Sequence, residues 1–223
     1  MNVTIIQFPG TNCELDTKYA FSLLGVEASI IWHKDEELSK GVDLVVLPGG
    51  FSYGDYLRSG AIAKFSPIMK AVVEHAKKGG YVLGICNGFQ ILLELGLLPG
   101  AMKKNRDVHF ISKFHYLKVE NPDNKFLKNF KKDDIINIPI AHGEGNYYID
   151  DEGLESLKEN EQILLRYCDK SGLHENPNGS VESIAGICNK EKNIFGLMPH
   201  PERAMEDMLG SSDGVKMLKG FLE

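Results

Sequence analysis

The sequence predicts an α/β fold: a mostly parallel central sheet flanked by helices, with additional β-strands in the second half. Three observations carry this. Over residues 1–100, short apolar runs alternate with stretches of helical periodicity. Those runs are continuous rather than alternating, as in strands covered on both faces. Suspicious turns at Pro9, Gly49 and Cys86 each follow such a run, and sheets of this kind gather their sites at strand carboxyl ends.

The elements follow in order. Val3–Gln7 reads as a strand stopped by Pro9-Gly10, and Leu15–Leu24 as a helix ended by Gly25. Val26–Trp32 is rich in β-branched residues, and "LVVL" at 44–47 is a strand closed by Pro48-Gly49-Gly50. Ile62, Phe65, Met69, Val72 and Ala76 mark one helix face. "YVLGI" at 81–85 is a fully apolar strand, and Phe89, Leu92 and Leu93 mark the helix after it. Phe110–Glu120 reads as a long strand, Asn121–Asp134 as a polar, lysine-rich connection, and Ile135–Ala141 and Gln162–Tyr167 as strands. "NPNGS" at 176–180 is a turn. Two strands joined by a polar turn then lead to a proline-bounded exit, and Val215, Leu218 and Phe221 mark a closing helix. There is no repeat, low-complexity segment or linker, so residues 1–223 read as a single domain.

Bulk properties exclude several classes. Lys and Arg total 25 against 31 Asp and Glu, a net charge of −6, which does not suit nucleic acid. No apolar run approaches a membrane span, and "MNVTIIQFPG" lacks the make-up of a signal peptide. Cys13, Cys86, Cys168 and Cys188 lie far apart, the usage of a reducing cytoplasm. No CxxC pair exists, so no metal is expected.

The stretch "YVLGICNGFQIL" is the sharpest signal. Gly84-Ile85-Cys86-Asn87-Gly88 has the form of a nucleophile elbow, a strand turning abruptly into a helix with the nucleophile at the turn. The helix points its partial positive end at the sulfur. The Asn87 N–H would face an oxyanion formed on an attacked carbonyl. Such a cysteine needs a base, and seven histidines compete. His200 stands apart, between two prolines in "GLMPHPER", with Glu202 two residues on and on the same side of an extended segment. Cys86, His200 and Glu202 therefore read as a catalytic triad. His33, His75, His109, His115 and His174 read as surface or partner-facing groups. Cys13, Cys168 and Cys188 read as packing, although Cys13 lies in a turn that borders the site.

These motifs resemble those of the class I glutamine amidotransferases, whose architecture is flavodoxin-like. "GICNGFQ" matches the nucleophile, "LPGGFSYGD" the oxyanion loop and "PHPE" the base and its orienting acid. "FPGTNCE", "IPIAHGEG", "NPNGS" and "GLMPHPERA" extend the likeness over nearly the whole chain, toward a glutaminase subunit that serves purine biosynthesis. The resemblance implies that Cys86 attacks the side-chain amide of glutamine, that His200 carries the proton and that Glu202 supports it. It implies an oxyanion site at the amides of Gly50 and Asn87. It implies glutamine contacts from Gly49, Gly50, Phe51 and Gln90 and, in "AHGEGNYY", from His142 and Gly143 beside the pocket.

Ammonia released into water would be lost as a nucleophile, so the resemblance also implies delivery to a large synthetase subunit, with a small accessory subunit in the same complex. No cofactor is expected in this chain; with no Walker A sequence present, ATP and Mg belong on the synthetase partner. The long strand and lysine-rich segment 103–134 read either as partner contacts or as a solvated face. Two rivals are another thiol hydrolase of the same fold, γ-glutamyl hydrolase or DJ-1-like, and a non-catalytic binding subunit. DJ-1-like proteins generally lack the Pro-His-Pro-Glu exit, and an intact triad argues against lost chemistry.

Overall fold

The structure, a computed structural model, describes residues 1–223. Its first half runs β1 (Val3–Gln7), α1 (Glu14–Leu23), β2 (Ala28–Trp32), β3 (Leu44–Leu47), α2 (Ile68–Lys77), β4 (Tyr81–Ile85) and α3 (Asn87–Glu94). The second runs β5 (Ala101–Lys103), β6 (Ile111–Val119), β7 (Ile135–His142), β8 (Asn146–Tyr148), α4 (Asp151–Glu159), β9 (Ile163–Cys168), β10 (Ile184–Cys188), β11 (Ile194–Leu197) and α5 (Asp213–Leu222). Nine strands form one sheet in the order β2-β1-β3-β4-β11-β10-β9-β6-β7, while β5 and β8 pair separately.

From β2 to β11 every pairing is parallel, and from β11 outward every pairing is antiparallel. It follows that β9 and β7 point the same way as the five parallel strands, and only β10 and β6 are reversed. One edge of the sheet therefore collects the carboxyl ends of β1, β3, β4, β11 and β7, and with them Pro9, Gly49, Cys86, His200 and His142.

The sheet also curls. β11 and β7 stand four places apart, about 19 Å on a flat sheet. Yet the His200 N–H, just beyond β11, donates to Pro139 O in β7 at 2.8 Å. Pro139 is tolerated there because β7 is the outermost strand. Helices cover both faces of β11: Phe195 packs on Phe221 of α5, whereas Gly196 faces Phe89 of α3.

Three expectations need correction. The helix read from Ile62 begins only at Ile68, because Ser66, held extended before Pro67, breaks it (ψ 139°) and leaves Phe65 exposed. The polar 121–134 connection is anchored by buried Phe126, Leu127 and Phe130. His33 and His115 are buried, not at the surface: Tyr53 Oη lies 2.7 Å from His33 Nδ1, and His115 packs against the Tyr167 ring. No helix is long and apolar enough to cross a membrane.

Candidate active site

Cys86 sits between β4 and α3 at φ 50°, ψ −104°, a conformation that non-glycine residues adopt only under constraint. The two flanking glycines supply that constraint. A Cβ on Gly84 would lie 2.7 Å from the Gly88 carbonyl, and one on Gly88 would strike Leu47 O. The elbow thus packs against its own helix and against β3 by backbone alone. Its amide donates to Leu197 O at 2.7 Å, joining the strand that ends at Cys86 to the segment that carries His200.

His200 is buried, and its Nδ1 lies 2.6 Å from Glu202 Oε1. A carboxylate only accepts, so Nδ1 carries the hydrogen and Nε2 is left for proton transfer. Nε2 has no other partner. Burial works against a charged ring, but the Glu202 charge and then the Cys86 sulfur outweigh it and hold the His200 pKa well above the ordinary imidazole range.

Cys13 also touches this ring, although 187 positions separate them in sequence. Its Sγ, a His200 ring nitrogen and a Glu202 oxygen lie within 4.8 Å of one another. His200 and Glu202 already bond to each other, so this is a hydrogen-bonded dyad beside a thiol rather than an open metal-ligand set. Cys13 accepts from Arg203 Nη2 at 3.1 Å and donates to Asn12 Oδ1 at 3.1 Å, and burial pushes its thiol up. The cavity separates the two sulfurs: Cys86 lines it and Cys13 does not.

That cavity holds about 340 Å³ and is walled by Gly50, Phe51, Gln90, His142 and Gly143 among the expected residues. Gly49 is not on its wall. It lies behind, where a Cβ would come within 2.7 Å of His200 Cε1 and 2.9 Å of Cys13 Sγ. The amides of Gly50 and Asn87 donate to no protein acceptor, so both are available to a ligand. Gln90 is fixed rather than free: its Nε2 donates to Glu144 O at 2.7 Å, and its Oε1 accepts from Asn87 Nδ2 at 2.9 Å. Asn87 Oδ1 in turn accepts from Ser52 N. This chain of bonds ties the 49–55 loop, α3 and the end of β7 into one wall.

The tautomer of His142 can be derived. Asn105 Nδ2 donates to His109 O and His142 O, so Asn105 Oδ1 faces donors, Gly145 N and His142 Nδ1. Nδ1 therefore bears the hydrogen, and the buried Nε2 presents an unpartnered lone pair. Burial, then the nearby His200, lowers its pKa to about 4, so the ring is neutral near pH 7.

Against this geometry, the profile of the CobB/CobQ-like glutamine amidotransferase domain matches residues 1–214. The chain belongs to that family of glutamine amidotransferases. It is 66% identical over 222 residues to the phosphoribosylformylglycinamidine synthase subunit PurQ of Sulfurimonas denitrificans, covering 100% of this chain and 99% of the relative. Its identity to the PurQ subunit of Campylobacter jejuni is 64%, with coverage of 100% and 96%. The structure of PurLQS from Thermotoga maritima superposes with a TM-score of 0.88 at 43% identity, covering 99% of this chain and 97% of that one. A glutamine amidotransferase from the same organism, at 16% identity over 100% and 96% of the two chains, shares the fold with a TM-score of 0.63.

Within this amidotransferase, sequence reasoning missed much of the cavity wall. Ser59, Lys104, Val108 and Phe110 line it without having been read as pocket residues, and Ala141 and Glu144 line it from "AHGEGNYY", the segment placed beside the pocket with no role given to either. Ser59 and Glu144 meet across 85 positions, Oγ to Oε2 at 2.8 Å, a pairing that no local pattern encodes. Arg203 could have been suspected from "PHPER"; it pairs with Asp16 of α1 at 3.1 Å and so clamps the His200 exit to the first helix.

Proposed function

We propose that this chain is the glutaminase subunit of a phosphoribosylformylglycinamidine synthase, making ammonia from glutamine for a synthetase partner. The observation that carries the reading is the tautomer-fixed His200–Glu202 pair beside a cysteine held in a strained elbow on a cavity wall. Cys86 gives its proton to His200 Nε2 as its sulfur attacks the side-chain carbonyl carbon of glutamine. The amides of Gly50 and Asn87 take the oxyanion. His200 returns the proton to the nitrogen, the C–N bond breaks, and ammonia leaves a glutamyl thioester. Water, deprotonated by His200, then splits the thioester into glutamate and free Cys86. Glu202 holds Nδ1–H throughout and stabilises the charged ring.

The partner reading rests on relatives named as subunits of one synthase and on the PurLQS structure. A large subunit accepts the ammonia and amidates formylglycinamide ribonucleotide, and a small accessory subunit completes the complex. ATP and Mg act on the large subunit, and the assembly works in the cytoplasm. Glutamate release is measured with glutamine and the chain alone, then with the partner subunits, ATP and the ribonucleotide. Slow release alone, much faster release in the complex and at least about a 10⁴-fold loss in Cys86→Ala are expected. Release that survives Cys86→Ala overturns the assignment.

A further inference from the structure

The His200–Glu202 pair leaves one carboxylate oxygen unpaired. Glu202 is 3% exposed, and its Oε1 accepts from His200 Nδ1–H. Its Oε2 is buried and accepts from nothing. A buried carboxylate oxygen without a donor is costly, so a donor within reach is drawn to it. The next residue carries the strongest such donor. The Arg203 guanidinium is a fork that matches a carboxylate, and it lies close enough for the Glu202 charge to act on it. Yet the two do not pair. Arg203 turns to α1 and its cap instead, with Nε on Asp16 Oδ2 and Nη2 on Cys13 Sγ, each at 3.1 Å.

That diversion matters to the base. A guanidinium seated on Glu202 would offset the negative charge that, against burial, holds His200 above the ordinary imidazole range. It would also compete for the carboxylate that fixes the ring's tautomer. The Cys13 sulfur meets both parties. It is 1% exposed, touches Arg203 Nη2, and lies within 4.8 Å of a Glu202 oxygen and a His200 ring nitrogen. Its S–H is turned to Asn12 Oδ1, so toward Glu202 it offers bulk rather than a hydrogen.

Resting on the reading that His200 and Glu202 serve glutamine hydrolysis, we propose that Cys13 and Asp16 are positioning residues that hold the Arg203 guanidinium off Glu202 and so reserve that carboxylate for His200. Asp16 supplies the competing charge, and the Cys13 sulfur fills the space that the guanidinium would cross. Neither residue lines the cavity beside Cys86, so both act through the base and not on the substrate.

The test follows glutamate release against pH in the assembled complex, native and with Cys13→Ala. The variant is expected to lose about tenfold or more in kcat with KM within about twofold of native. The limb of its pH profile that His200 sets moves to lower pH, because less net negative charge then supports the imidazolium. The ring also faces Cys86 and His142, which the variant leaves in place, so the shift reports the Glu202 side. Removal of the guanidinium decides the matter. Arg203→Gln is expected to cost no more than about threefold in kcat alone, and to return Cys13→Ala to within about threefold of native. A sulfur that only fills space predicts the reverse, since the second change would add its own loss. Cys13→Ser, which refills the space, should retain most of the activity. Thermal melting identifies a variant that fails to fold, and Asp16→Asn then replaces Cys13→Ala in the same cycle. Native kcat in Cys13→Ala, an unmoved His200 limb, or a double variant no more active than the single one overturns the proposal and leaves the glutaminase reading intact. No glutamate from glutamine in the native complex overturns both.

Discussion

Buried imidazoles set much of the chemistry of this site, and two of them are tuned in opposite directions. His200 meets a carboxylate and is held above the ordinary range. His142 has only a neutral amide partner, and burial, then the nearby His200, lowers it to about 4. The second shift has a consequence for stability. Between pH 6.5 and about 4 the unfolded chain protonates this ring and the folded chain does not. The unfolded state therefore binds more protons, and stability falls as pH drops through that window. For His142 alone the loss is about 3 kcal/mol. Burial lowers His33 and His115 as well, and they act in the same direction. Asp55, raised to about 6, acts in the opposite one. A comparison isolates the His142 share: urea melts from pH 7 to pH 4.5 should show a shallower decline in folded His142→Gln than in the native chain. Parallel declines would show that the ring does not titrate as described.

At the scale of elements, function depends on strand exits that approach more closely than side chains normally allow. The exit of β3 runs beneath His200 because residue 49 has no Cβ, and the elbow rests on Leu47 O because residue 88 has none. Gly49→Ala tests the first approach. Its new methyl would meet two side chains, His200 and Cys13, rather than backbone, so the fold can yield by moving the imidazole. A displacement of this size at a catalytic base costs about 100-fold in kcat. Steady-state glutaminase kinetics should show that loss with Tm lowered by only a few degrees. Unchanged kcat would mean that the ring is not held by this contact.

The same scale shows what the sequence discloses. Short apolar runs and glycine-proline stops located the sheet strands because these features are local. The elbow and the Pro-His-Pro-Glu exit were legible for the same reason. The start of α2 was misread because helical spacing was followed through Pro67, which stops it. α4 was overlooked although Asp150 caps it at Gly153 N and Asp151 and Glu152 occupy its first turn; only Leu154 and Leu157 are buried, too few to announce a periodicity. Cys13 was legible only as a residue bordering the site; its place against His200, like that of Ser59 against Glu144, joins distant parts of the chain and has no local signature.

For the whole molecule, the curl decides which surface a partner must cover to take up the ammonia. The lysine-rich stretch expected to serve a partner divides between two ends of the sheet. Lys104, Val108 and Phe110 lie at the cavity, where Phe110 packs near Phe51, and exposed Tyr56 and Leu57 lie on the loop leading from its wall. Exposed Lys128, Lys131 and Lys132 follow β6, nine residues and about 30 Å from that edge. A synthetase that takes ammonia from the cavity must cover the first group and has no need of the second. Phe110→Asp and Val108→Asp should therefore each weaken assembly by about tenfold or more, the loss expected when an apolar anchor leaves an interface. Lys128→Glu, Lys131→Glu and Lys132→Glu, even combined, should leave the Kd within about twofold, since exposed charges distant from a contact are screened. Titration of the chain into the partner subunits by calorimetry measures both. A complex weakened by the lysine reversals but indifferent to the Phe110 and Val108 changes would place the partner at the opposite end of the sheet and rule out direct transfer from this cavity mouth.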